Sequence, residues 1–235
     1  MIKGCKNPYG LALQNQQAWI GQGENMQPYI NYFSNHMQDY LGMVGQHLLL
    51  SFISVTLAVV IGVPFGILTT RSKKASRFIT TVFSTLRIIP SLAILVLLIP
   101  VMGIGMKPAL VALTVLAIPP VLINTALGFR QVEDFMVEVA RAMGMDERTV
   151  FLKVKLPLAF PYIMTGIKTA ASEIIASATL AAYIGSGGLG VLIYNGISMM
   201  KTEYLLIGGV SVAVLTIVCN LLLGSAQKKV LRYRA

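Results

Sequence analysis

Long apolar runs separated by short, mostly basic polar stretches set the pattern of this chain. A bilayer core takes about 20 apolar residues at ~1.5 Å rise each. Five segments reach that length: 47–70, 78–103, 108–129, 158–184 and 204–226. The last, YLLIGGVSVAVLTIVCNLLLGSA, carries no charge. The others hold Pro, Gly and a few ionisable groups, which lipid-embedded helices tolerate where neighbouring helices satisfy the freed backbone. Pro90 falls inside the second run, and a helix broken there is one reading of that span. Before the first run, Tyr29, Tyr32, Phe33, Met37, Tyr40, Leu41 and Val44 recur at helical spacing. They predict a short helix over 29–45 lying along the outer membrane face. Residues 1–26 are polar and Gln/Asn-rich, with no apolar run of signal-peptide length. Met26 is an alternative start, with the stretch before it a leader. The expected plan is an extracytoplasmic segment (1–45), a transmembrane domain (46–226) and a basic tail (227–235). The fold class is all-α: a polytopic membrane protein with five spans.

Composition agrees, since 55% of residues are hydrophobic and only 12% charged, well off the soluble norm. The net charge of +10 would suggest nucleic acid in a soluble chain. Here the cations gather in alternate loops and no basic face carries interleaved aromatics, so membrane lipid is the expected surroundings and nucleic acid is not a partner. With the first span running outside to inside, Arg71, Lys73, Lys74, Arg77, Arg130, Arg141, Arg148, Lys153, Lys155, Lys228, Lys229, Arg232 and Arg234 fall on the cytoplasmic side. Lys3, Lys6, Lys107 and Lys201 are left outside. That asymmetry predicts the N-terminus out and the C-terminus in; the expected location is the cytoplasmic membrane of a bacterium. Cys5 and Cys219 spell neither a metal site nor a disulfide framework.

The loop between the third and fourth spans, VEDFMVEVARAMGMDERTVFLKVKLP, is far longer than a turn needs to be. Phe135, Val139 and Met143 fall on one helical face, and Glu133, Glu138 and Arg141 on the polar side. Asp134 stands where an N-cap would, and Gly144 permits the positive φ that ends the helix. Asp146 can cap a second short helix with Glu147 in its first turn, closed by Pro157. Two short amphipathic helices at an angle result. They are either a docking element or a membrane-surface pair that merely connects two spans.

Glu138-Val139-Ala140, Gly144 and Leu156-Pro157 resemble the "EAA…G…LP" loop of ATP-binding-cassette importer permeases, with Val139 in place of the usual second Ala. The resemblance covers about 46–226. LRIIPSLAILVLLIPVMGIG, IPPVLINTALGF and SATLAAYIGSGGLG are similar to the branch that imports glycine betaine, choline, carnitine and related quaternary amines. Methionine importers, or permeases for another small amino-acid-like solute, are the second choice. The resemblance implies a five-span type I importer core working as a dimer with a second copy or a paralogue. Glu138, Ala140, Gly144, Leu156 and Pro157 would couple it to a dimer of P-loop ATPase subunits. An external solute-binding protein, lipid-anchored or carried on another chain, would supply the aromatic cage that recognises quaternary ammonium.

Other motifs are weighed on context. Gly185, Gly187, Gly188 and Gly190 match G-x-G-x-x-G, but they follow an apolar span rather than a strand. They are read as a bend allowing close backbone approach at the outer mouth of the path. No G-x-x-x-x-G-K-[ST] occurs, so no cofactor is expected on this chain, and ATP and Mg²⁺ belong to the partner ATPase. Arg87, Lys168 and Glu173 lie inside spans, where charge pairs or lines a path. Glu173 is either a counter-charge to a quaternary ammonium or half of an ion pair with Arg87 or Lys168. Arg87, Pro90, Asn124, Glu173 and the four glycines are the candidate path or gate residues, Asn124 more as a helix–helix hydrogen-bond partner than as a ligand. His36 and His47 are placed outside the membrane, which leaves no catalytic set for a lipid-modifying enzyme. A stand-alone channel or secondary transporter is the remaining rival.

Overall fold

Pro90 interrupts the second span, and the chain turns sharply there. The structure, a computed structural model, describes residues 26–70 and 72–231; the expected leader and the end of the basic tail lie outside them. The helices are α1 (Gln27–Thr69), α2 (Lys73–Leu86), α3 (Ser91–Met102), α4 (Met106–Arg130), α5 (Asp134–Ala142), α6 (Glu147–Val150), α7 (Leu156–Ala181), α8 (Gly190–Ser198) and α9 (Thr202–Leu231). A π-helical turn (Phe151–Lys155) joins α6 to α7, and a 3₁₀ turn (Ala182–Ile184) follows α7. Among the described residues four helical stretches are long and apolar enough to cross a membrane, and α2 with α3, bent by 87°, counts as a fifth where the pair is taken as one broken span. Proline explains the elbow: it has no N–H to extend α2, and it drives Ile89 before it out of the helical region.

The core centres on α4, whose Ala109, Ala112, Leu113, Ala117, Val121 and Leu122 are all fully buried. It lies between α1 and α7. Small residues set the spacing. A Cβ on Gly66 would come within 2.7 Å of Thr125 Cβ, and one on Gly166 within 2.8 Å of Asn124 Cβ. Such contacts let helices approach closely where lipid provides no hydrophobic drive. Phe52, Phe65, Val101, Val210, Ile217 and Leu222 are turned outward, as a lipid-facing surface requires.

The helix expected over 29–45 runs on into the first span as one element, α1, with a break at His36 (φ −128°, ψ 20°). Its aromatic residues are docked on other helices. Tyr32 packs against Leu189, Leu192 and Ile207, and its ring meets Tyr204 edge-on at 5.3 Å. The Tyr40 and Ser211 hydroxyls share a hydrogen bond of 2.8 Å. That surface includes α8, a short helix the hydropathy pattern did not reveal.

Candidate functional site

The long loop folds as two joined pieces. α5 starts at Asp134 with Glu133 as its N-cap, one residue before the position expected. It ends in a Schellman closure: the Gly144 N–H donates to the Arg141 carbonyl (2.9 Å) and the Met145 N–H to that of Ala140 (3.2 Å). Gly144 has φ +81°, the left-handed conformation that glycine adopts without cost. Val137 and Ala140 are buried against Val150, with Val132, Met145 and Val154 around them. The expected apolar face faces away from this small core: Phe135 and Met143 are 67% and 65% exposed, and Val139 is exposed too. Glu138 is also exposed. Arg141 pairs with Glu147 at 2.7 Å. The Thr149 hydroxyl and first-turn amides of α6 hold the exposed Asp146 carboxyl below its usual range.

Pro157 does not close the second helix. It sits in the first turn of α7, and the helix runs through it because the preceding turn widens to π, with the Leu156 N–H donating to the Phe151 carbonyl. The missing proline N–H is absorbed by that wider turn. Leu156 and Pro157 are half-buried at this junction, and Phe129 stacks on Phe151 with ring centroids 5.6 Å apart. The loop is thereby joined to both α4 and α7.

A second site lies at the elbow. Arg87, just past α2, forms an ion pair with Glu173 of α7. Lys168, the other candidate cation, instead lies beside Gly224 of α9. The pair borders a cavity of ≈ 390 Å³ lined also by Pro90, Ser91, Pro119 and Ser177. Asn124 does not bridge helices by hydrogen bonding: its amide donates to the Pro120 carbonyl of its own helix (2.8 Å), and its Cβ packs where α7 has Gly166.

The glycine run makes the close bend. Gly185, Gly187 and Gly188 have φ +77°, +81° and +80°. A Cβ on Gly190 would fall 2.1 Å from the Thr179 carbonyl oxygen, so backbone packs directly on backbone. The Gly188 N–H donates to Gln46 Oε1 (3.2 Å). His47 is the main correction. It is 1% exposed within the bundle, its Nε2 donates to the Ile175 carbonyl (3.0 Å), and its Nδ1, like Ser51 and Ser54 Oγ, is buried without a hydrogen-bond partner. The spacing of His47, Ser51 and Ser54 was the available signal, since a polar stripe on an apolar helix turns inward from lipid.

The architecture and loop define a membrane permease. Residues 62–232 match the model of the binding-protein-dependent transport system inner membrane component family, and the chain belongs to that family. It is the permease subunit of an ATP-driven importer, a multi-pass membrane protein and not itself an enzyme. It is 39% identical over 202 residues to the carnitine transport permease protein OpuCB of Listeria monocytogenes, covering 86% of this chain and 93% of that protein. It is 40% identical over 184 residues to the choline transport system permease protein OpuBB of Bacillus subtilis (strain 168), covering 78% and 85%. Among solved structures it is similar to the inward-facing MetNI methionine ABC transporter (TM-score 0.74, 24% identity, 83% of this chain and 98% of that one). A crystal structure of an amino acid ABC transporter with histidines gives a TM-score of 0.70 at 19% identity, covering 87% and 98%.

Proposed function

We propose that this permease carries small quaternary-ammonium solutes of the glycine betaine, carnitine and choline type into the cell. What carries the reading is the 39% identity to a carnitine permease over nearly its whole length. The methionine and amino-acid transporters are similar at 24% and 19% identity, which speaks for the fold alone. The charge asymmetry of the loops supports an N-terminus outside and a C-terminus in the cytoplasm, which puts the long loop on the ATPase side. There the uncovered Phe135, Val139 and Met143, with Glu138 beside them, form the knob that a groove on each P-loop ATPase subunit accepts. ATP and Mg²⁺ bind that partner. Its closure displaces α5, and the Val150 cluster and the π turn pass the motion to α7. An external binding protein delivers solute to the glycine-run end, and a second permease copy or a paralogue completes the path.

The test is uptake of labelled glycine betaine, carnitine, choline and methionine by proteoliposomes holding the permease, its ATPase and the binding protein. ATP-dependent uptake of the three quaternary amines but not of methionine is expected. Methionine uptake alone would overturn the solute class, and flux without ATP would revive the channel.

A further inference from the structure

We propose that the Arg87–Glu173 ion pair is the solute site of the permease itself, a built-in zwitterion whose place a zwitterionic quaternary-ammonium solute takes during transport. This rests on the solute class proposed above. Three observations carry it. The two side chains are 40% and 37% exposed, so the pair opens onto space rather than filling a packed contact. That space is a cavity of ≈ 390 Å³, within the ~300–1,000 Å³ of small-molecule sites. It also lies at a sharp bend, where α2 meets α3 at 87°, so one charge sits on a jointed element and the other on the helix tied to the long loop.

The chemistry follows from charge balance. Removing one partner of an ion pair in a membrane leaves an uncompensated charge, which is costly. A zwitterion avoids this, because its carboxylate takes over Arg87 while its trimethylammonium takes over Glu173. The number of charges in the cavity is then matched before and after. The guanidinium suits a carboxylate. The N-terminus of α3, opening at Ser91 on the cavity wall, adds favourable potential for the same group. A solute with only the cationic half engages Glu173 and leaves Arg87 unpaired, so it is the weaker substrate. An uncharged solute has no means of separating the pair.

The experiment compares glycine betaine, a zwitterion, with choline, a cation, in proteoliposomes of the assembled transporter carrying Arg87→Gln, Glu173→Gln or both changes. Arg87→Gln should lower glycine betaine uptake at least tenfold and spare choline, so that the choline-to-betaine ratio rises. Glu173→Gln should depress both, choline the more. The double variant leaves no lone charge and keeps the permease assembled, as gel filtration would check, yet should still transport glycine betaine at least tenfold more slowly. Recovery of wild-type uptake in the double variant, or equal losses for both solutes in each single variant, would overturn the proposal and leave the ion pair a purely structural contact. Wild-type protein that moves neither solute would instead remove the solute class, and this site with it.

Discussion

Substituting Gly144 separates backbone strain from packing, because a Cβ there meets nothing within 4 Å while φ stands at +81°. The whole cost of a side chain is therefore conformational. For an L-residue the left-handed region costs about 1–2 kcal/mol, and a β-branched residue is the worst case. At ~1.4 kcal/mol per factor of ten, Gly144→Val lowers the equilibrium constant for closing the α5–α6 corner by about 5–30-fold. That loss is opposed only locally, by the small cluster of Val137, Ala140 and Val150 and the exposed Arg141–Glu147 ion pair. The spans are not touched, so membrane insertion and assembly should be those of the wild type. Solute-stimulated ATP hydrolysis by the reconstituted transporter should fall several-fold in Gly144→Val and less in Gly144→Ala. It should stay near normal in Gly144→Asn, since Asn tolerates this conformation. A valine variant with full stimulation, or an asparagine variant as impaired as valine, would refute the reasoning.

Gly190→Ala should be far more damaging to the fold, since its Cβ would stand 2.1 Å from the Thr179 carbonyl oxygen; overpacking of this kind costs about 1–3 kcal/mol or more, and a lower melting temperature in detergent is the expected readout. Met200 is the reverse case, a 75% exposed side chain held at φ +52°. Met200→Gly should raise stability by about 1 kcal/mol, seen as a higher melting temperature. Cysteines placed at 77 and 201 in a background lacking Cys5 and Cys219 should differ toward an impermeant thiol reagent on intact cells. Position 201 should label and position 77 should not, and the opposite result would invert the topology and the partner assignments.

What could be read from the chain alone divides along physical lines. Span lengths and the loop helix were legible because each depends on local composition: apolar runs for the spans, and Gly144 for the turn ending α5. The break at Pro90 was open to two readings, and the chain takes the bent one, as the missing proline N–H allows. The pairing of Arg87 with Glu173 instead of Lys168 depends on which helices are neighbours, information that periodicity does not contain. Pro157 misled because a proline ends an isolated helix, whereas here the π turn before it lets the helix continue. Phe135, Val139 and Met143 share a face as expected, yet periodicity does not say whether an apolar face looks inward. The smaller Val137 and Ala140 took the inner side. His47 was assigned to the exterior from its place at the edge of an apolar run, although its i+4 and i+7 companions Ser51 and Ser54 pointed to an inward stripe.

The continuous path from α6 through the π turn into α7 makes the loop the short arm of a lever. From Val150 to Glu173 the helix rises about 35 Å at ~1.5 Å per residue. A tilt of about 5° at its base swings position 173 through about 3 Å, comparable with the separation at which an ion pair is made or lost. On the proposed function, a small movement imposed at the loop would reach the cavity with enough travel to part Glu173 from Arg87. No unwinding of α7 is required for that stroke.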